Sequence, residues 1–243
     1  MSGKILIIAG GELDLPFAEE YLASHIFDRV VCADAGLEGA GKLHLSVDCV
    51  MGDYDSVSEE VLEAYRSQNH RVGKTIEFVQ YPPEKDATDL ELALDWAVEQ
   101  HPEEIVILGA TGGRLDHFIA NVNILMKPLS KGIPASIVDR YNRLSLLDAA
   151  HASKRVSHGE DGHILHVFHR KDMHGKYISF LPLTERVRNV TLRGFRYELD
   201  GQDMVLGSSL GVSNELAEER ESATVDFSEG ILIAVESGDL CDT

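Results

Sequence analysis

The chain has few of the residues that mark several large functional classes. Only three cysteines occur in 243 residues, Cys32, Cys49 and Cys241, and none sits in a C-x-x-C pair. That spacing offers no thiolate zinc site or redox pair, and it fits a reducing compartment. No apolar run approaches the roughly 18 residues of a membrane-spanning helix, and no basic-then-apolar leader opens the sequence. A cytoplasmic protein with no membrane partner is the expectation. Basic residues are scarce: 22 Lys and Arg stand against 41 Asp and Glu, a formal charge of −19. Such a field repels nucleic acid and anionic lipid surfaces, so no nucleic-acid partner is expected. The G-x-x-x-x-G-K-S/T phosphate loop and the G-x-G-x-x-G dinucleotide fingerprint are both missing, which speaks against P-loop NTPases and ordinary NAD enzymes. Nucleotide binding by another route stays open.

What is present is an ordinary 44% of hydrophobic residues and a length that suits two domains. Short Ile- and Val-rich runs at 4–9, 29–33, 48–51, 77–80, 104–108 and 135–138 read as strands. Helix-like stretches lie between them. Leu90, Ala93, Leu94, Ala97 and Val98 form the i, i+3, i+4, i+7 stripe of an amphipathic helix. Thr88 with Glu91 gives that helix a capping-box start. Residues 57–68 and 115–127 also read as helices, and Pro16 suits a helical first turn. This alternation predicts a parallel sheet with helices on both faces, a three-layer α/β domain. After about residue 143 the pattern changes. Short period-2 segments at 164–169, 177–181, 190–192, 204–206, 223–227 and 231–235 alternate with Gly, Asn, Asp and Ser, and only a polar stretch near 214–221 hints at helix. An all-β sandwich is expected there, with domains at 1–143 and 144–243.

Aspartates follow the early strands: Ala33-Asp34-Ala35-Gly36, Gly52-Asp53-Tyr54-Asp55-Ser56, Lys85-Asp86-Ala87-Thr88-Asp89 and Gly112-Gly113-Arg114-Leu115-Asp116-His117. Turns after parallel strands gather at one edge of the sheet, where ligands bind. Two carboxylates about 4 Å apart repel by roughly 4 kcal/mol at an effective dielectric near 20. Sharing that edge therefore requires a cation, a proton or a basic partner. A divalent metal with a phosphate ligand is the simplest answer, because Mg²⁺ takes oxygens of both kinds. Asp53 and Asp55, two apart at a strand end, could share one metal; a polar turn or helix cap explains them equally well. Asp86 and Asp89 lie on one side of a first helical turn, which binds phosphate through free N–H groups, though acidic residues also favour helix starts for simple capping. The turn from Gly109 to Arg114 lets backbone approach phosphates, and Arg114 can grip two oxygens with one planar fork. Six of eleven histidines fall between His151 and His174. His163, His166 and His169 step by three along an expected strand and so alternate faces, which argues against a shared metal.

Taken together and in this order, these segments resemble the thiamine pyrophosphokinase (thiamine diphosphokinase) family nearly end to end. The resemblance includes the Ile-Ile-Ala-Gly-Gly opening, Cys32-Ala33-Asp34-Ala35-Gly36 and Gly52 through Ser56. It continues through Lys85 to Asp89, Gly109 through His117 with Asn121, Gly211-Val212-Ser213-Asn214-Glu215, and a final glycine-led strand at 230–235. It implies an α/β domain for ATP, a β-sandwich domain for thiamine, and a homodimer whose site is shared between subunits. It also implies transfer of the pyrophosphoryl group of ATP to the thiamine hydroxyl. Carried over residue by residue, Asp53, Asp55 and Asp89 match the Mg²⁺ acids. Asp34, Asp86, Thr88, Gly112 and Arg114 match positions around the nucleotide. Asp116 matches the acid nearest the reacting hydroxyl, with Arg114 and Asp89 beside it in catalysis, and Ser213 with Asn214 matches the thiamine turn. The last strand departs from some family members in having no aromatic residue. A related pyrophosphokinase acting on another alcohol, such as a hydroxymethylpterin, uses the same machinery. A silent nucleotide- or thiamine-binding module would have lost a metal acid or the arginine, and none is missing here.

Overall fold

The structure, a computed structural model, describes residues 3–68, 75–82, 86–150, 156–158 and 164–239. It divides into two compact units, Met1–Pro128 with Ile137–Arg140, and Leu129–Ser136 with Tyr141–Thr243.

Along the chain as far as residue 140 the elements are β1 (Lys4–Ile8), α1 (Leu15–Ser24), β2 (Arg29–Ala33), α2 (Gly36–Lys42), β3 (Cys49–Gly52), α3 (Glu59–Gln68), β4 (Glu77–Gln80), α4 (Asp89–Glu99), β5 (Glu104–Leu108), α5 (Leu115–Ile124), α6 (Met126–Leu129) and β6 (Ala135–Val138). Strands β5, β1, β2, β3 and β4 run parallel in that spatial order, and β6 lies beside β5. Strand β1 is central and almost wholly buried, from Ile5 to Ile8. Apolar residues on both of its faces are what a helix-covered parallel strand requires. Each fully buried Ile or Leu contributes about 1.5–3 kcal/mol, so Ile5 through Ile8 anchor the sheet. Asp14 caps α1, accepting the amide of Phe17 at 3.0 Å, with Pro16 in the first turn. Thr88 caps α4 by accepting from the amide of Glu91 at 3.2 Å, one half of the expected capping box, while the Glu91 carboxylate pairs with Lys127. Lys127 bridges Glu91 and Asp95, fastening α4 to α6.

The second unit holds β7 (Asn142–Asp148), β8 (Val156–His158), β9 (Ile164–His169), a 3-10 turn at Arg170–Asp172, β10 (Tyr177–Pro182), β11 (Arg186–Arg193), β12 (Leu199–Val205), β13 (Asn214–Glu215), β14 (Ser222–Asp226) and β15 (Ile231–Ser237). Antiparallel pairing gives one layer ordered β13-β10-β15-β7 and another ordered β12-β11-β14-β9-β8. Phe180, Ile178, Leu232 and Ala234 of the first layer pack against Phe168, Val187, Leu192 and Val225 of the second. This is the expected sandwich. The polar stretch at 214–221 is no helix: it opens as β13 and continues in turns. Buried Glu236 is offset by Arg143, whose Nε donates to Oε1 at 2.9 Å and whose Nη2 reaches Oε2 and the carbonyl of Asp172. The amide of His174 donates to the same carboxylate at 3.0 Å.

Of the histidines, His151 and His163 lie outside the described residues. His166 is buried, stacked on Phe227 and bonded through Nε2 to the carbonyl of Asp148 at 2.9 Å, while His169 is exposed. Burial holds the pKa of His166 below its ordinary value. These two residues of one strand do alternate faces.

Candidate active site

The parallel strands of the first unit end in turns, and the register decides which turns meet. Ala33 pairs with Met51, so the residues that follow, Asp34 and the Gly52-Asp53 turn, are neighbours in space. The amide of Asp34 donates to the carbonyl of Met51 at 2.8 Å. Carboxylate oxygens of Asp34, Asp53 and Asp55 all lie within 4.8 Å of one another. Asp89 Oδ1 comes within 3.3 Å of where a Cβ on Gly52 would stand, which brings the fourth acid to the same strand end. The Asp53–Asp55 turn is ordered locally, the amide of Asp55 donating to Asp53 Oδ1 at 3.1 Å and Ser56 Oγ to Asp55 Oδ1 at 2.8 Å. Asp34 is the acid in conflict. Its Oδ1 is buried with no hydrogen-bond partner. Burial, followed by the charges of Asp89 and Asp53, raises its pKa. An orphaned buried carboxylate oxygen within an all-oxygen donor set suits a hard divalent cation.

Beside this edge lies a cleft of about 440 Å³. Its floor is the loop after β1 (Gly10, Gly11, Glu12) and the turn after β5 (Gly109, Ala110, Gly112). Asp34, Thr88, Asp89 and Arg114 form its walls. The two loops interlock. A Cβ on Gly11 would stand 2.4 Å from the carbonyl oxygen of Gly109, and one on Gly112 would stand 2.8 Å from the Cβ of Glu12. Only glycine permits that approach. Arg114 occupies the N-cap of α5 without a side-chain cap bond, leaving first-turn amides for a ligand or water. Its guanidinium grips Asp116 at two points, Nε to Oδ1 at 3.1 Å and Nη2 to Oδ2 at 2.5 Å, with both side chains largely exposed. Arg114 accordingly holds the Asp116 carboxyl below the usual carboxylate range.

Of the residues read from the sequence, Asp34, Thr88, Asp89, Gly112 and Arg114 line this cleft, and Asp53 and Asp55 stand at the adjoining strand end. Asp86 is exposed just before the Thr88 cap. Ser213 and Asn214 belong to the second unit. Ser213 adopts a left-handed φ of 56°, its amide donating to Ser179 Oγ at 3.0 Å. Asn214 is buried, and its amide group spans the backbone of Tyr197, accepting from its N–H at 3.0 Å and donating to its carbonyl at 2.7 Å. Asn214 therefore builds the turn that presents Ser213. The sequence assigned no role to Glu12, His117 or Asn121, which also line the cleft. The resemblance named His117 and Asn121 without a role, and their four-residue step along one helix face is the signal that could have given them one. Asn121 steadies the glycine turn, donating to the carbonyl of Ala110 at 3.0 Å.

Comparison with known proteins agrees with this geometry. Residues 21–137 match the model of the thiamin pyrophosphokinase catalytic domain, and residues 162–232 match that of the thiamin pyrophosphokinase vitamin B1 binding domain. The thiamine pyrophosphokinase of Bacillus subtilis (strain 168) is 34% identical, across 97% of this chain and 99% of that protein. A crystal structure of the Bacillus subtilis thiamine pyrophosphokinase aligns with a TM-score of 0.80 at 31% identity, covering 98% of this chain and 100% of the other. The thiamin pyrophosphokinase of Geobacillus thermodenitrificans gives 0.77 at 32% identity, covering 99% and 100%. With both halves matched in order, and a relative of that identity aligned over almost its whole length, the chain belongs to the thiamin pyrophosphokinase family.

Proposed function

We propose that this protein transfers the pyrophosphoryl group of ATP to the hydroxyl of thiamine, releasing thiamine diphosphate and AMP. The observation that carries this reading is the meeting of four acids, an interlocked glycine turn and Arg114 at one edge of a parallel sheet. In the reaction the thiamine oxygen attacks the β-phosphorus, the bond between β-phosphorus and the α,β-bridging oxygen breaks, and AMP leaves with the bonding pair. The proton of the hydroxyl passes to a base. Such a transfer asks the protein chiefly to position groups and offset charge. Asp53, Asp55 and Asp89, with Asp34 beside them, would hold Mg²⁺, which when bound supplies positive charge to phosphate oxygens. The chain's own groups do the rest. The turn at Gly112 and the start of α4 at Asp86 and Thr88 cradle phosphates, and Arg114 grips their oxygens.

Arg114 and Asp116 pair with each other in the structure. An exposed pair of this kind is worth about 0–1 kcal/mol, so a polyphosphate readily claims the arginine. Asp116 then regains proton affinity and accepts the hydroxyl proton. The segment 1–143 carries the nucleotide and metal, and 144–243 supplies Ser213 and the turn held by Asn214 for thiamine. A homodimer completes the site. Exposed apolar side chains support that assembly: Leu115, Ile119 and Met126 in the first unit, and Leu206, Leu210 and Val212 in the second. Incubation of the protein with ATP, Mg²⁺ and thiamine tests the reading, with AMP expected one-for-one with thiamine diphosphate. Formation of ADP and thiamine monophosphate instead would overturn it.

A further inference from the structure

Asp14 stands two residues beyond Glu12 of the cleft floor and is not among the residues that line the cleft, yet it receives more donors than an ordinary helix cap. Besides the amide of Phe17, its carboxylate takes Arg140 at two points, Nε to Oδ2 at 2.6 Å and Nη2 to Oδ1 at 2.9 Å. The partners are 126 residues apart in sequence and each is only partly exposed, 38% for Asp14 and 30% for Arg140. Arg140 follows the end of β6, so the pair ties the exit of that strand to the start of α1. A capping role alone needs no arginine, because Asn and Ser cap as well as Asp.

The loop that ends at Asp14 is the one that forms the cleft floor. It is pinned at its beginning by Ala9 N–H to the carbonyl of Leu108 at 2.8 Å and Gly11 N–H to the carbonyl of Gly109 at 3.0 Å. Its far end is held by Leu13 against the core and by Asp14. Between those points Gly11 and Glu12 sit so close to Gly109 and Gly112 that not even a methyl group fits. A shift of one loop therefore displaces the other, and the displaced turn leads directly into Arg114. Bidentate Arg–carboxylate pairs fix direction as well as distance, which suits a brace better than a simple point charge does.

We propose that Asp14 and Arg140 are positioning residues for the nucleotide: a brace that holds the floor of the cleft in the shape that receives ATP phosphates. This rests on the reading of the cleft as the ATP site. The Arg140 guanidinium also keeps Asp14 ionised, holding its pKa down at about 2.

The test uses the full chain with Asp14→Asn, which keeps the cap and loses the charge, with Arg140→Gln, and with both together. Two measurements are made on each: the dissociation constant for Mg·ATP without thiamine, by calorimetry, and the melting temperature. Each single change is expected to weaken Mg·ATP binding about three- to tenfold, and the double change no further than the weaker single within about twofold, because both break one coupling. A pair that merely stabilises the fold would lower the melting temperature and leave binding unmoved at assay temperature. That result overturns the proposal, as does a double effect equal to the product of the singles. Wild-type protein that fails to bind Mg·ATP removes both the brace and the reading it rests on. Wild-type protein that binds Mg·ATP but yields no thiamine diphosphate removes the acceptor assignment alone, and the brace is still decided by the binding constants.

Discussion

At Asp34 three unfavourable conditions coincide. The residue has a left-handed φ of 49°, a buried Oδ1 without a partner, and carboxylate charges of Asp89 and Asp53 acting on it. A left-handed conformation in a residue other than glycine costs about 1–2 kcal/mol, and Asp and Asn tolerate it best. The surrounding sheet holds Asp34 there because Val31–Ala33 of β2 and Cys49–Met51 of β3 are buried and in fixed register. Asp34→Asn keeps the backbone preference and removes the charge. Without metal that variant is expected to melt about 2–4 °C above the wild type for each 1 kcal/mol of relief, in a chain of this size. Added Mg²⁺ should raise the melting temperature of the wild type and leave the variant nearly unmoved. An unchanged or lower melting temperature without metal, or equal stabilisation of both by Mg²⁺, would show that Asp34 is no part of the cation set. The clustering of acids was legible in the sequence because turns after parallel strands share an edge. The intimacy of Asp34 with Asp53 was not, because it depends on strand register.

Elements here carry structure and chemistry in the same residue, most plainly at the start of α4. Thr88 Oγ1 accepts the helix cap bond and the residue lines the cleft, and the cap bond leaves its O–H to donate elsewhere. Thr88→Ser should preserve both duties, and Thr88→Ala should cost about 1 kcal/mol of helix capping. Thr88→Asp separates the two. It restores the cap, and with it the melting temperature, but sets a carboxylate against the phosphates, so Mg·ATP affinity should fall at least about tenfold, or 1.4 kcal/mol. Affinity equal to wild type would leave Thr88 a cap and nothing more. Hydrophobic runs located all of the first six strands to within a residue at their ends: four coincide, β1 ends one residue before its run, and β3 is shifted one residue along the chain. Helix α2 escaped notice, since Gly36, Gly39 and Gly41 give it poor intrinsic propensity; burial of Leu37 and Ala40 forms it instead. Strand β7 escaped because Asn142, Arg143 and Asp148 obscure its alternation, Arg143 being the half-buried partner of buried Glu236. The brace between Asp14 and Arg140 left no trace in sequence at all, for no periodicity links residues so far apart.

For the whole molecule, the question is whether one chain suffices for one site. If a homodimer shares its sites, full-length Asp89→Asn protein mixed with full-length protein carrying Ser213→Ala and Asn214→Ala should regain activity that neither has alone. In a mixed pair one site collects both intact halves and the other both defects, so random exchange gives about half the dimers one working site, as C₂ symmetry requires. Subunit exchange is checked by co-purification of tagged chains. Mixed dimers without recovered activity would place each site within a single chain. The central position of β1 has a consequence for how the protein comes into being. Ile5 through Ile8 pair on one side with residues 29–32, and on the other with residues 105–108. A ribosome working at about 5–20 residues per second delivers the four acids between Asp34 and Asp89 seconds before it delivers β5, the glycine turn and Arg114. Until then β1 has one open flank, and the carboxylates have no arginine among them. Arg140 arrives later still. This edge is thus delivered acids first and glycine turn last, so a nascent chain released early would carry an acid cluster without the turn that completes the cleft.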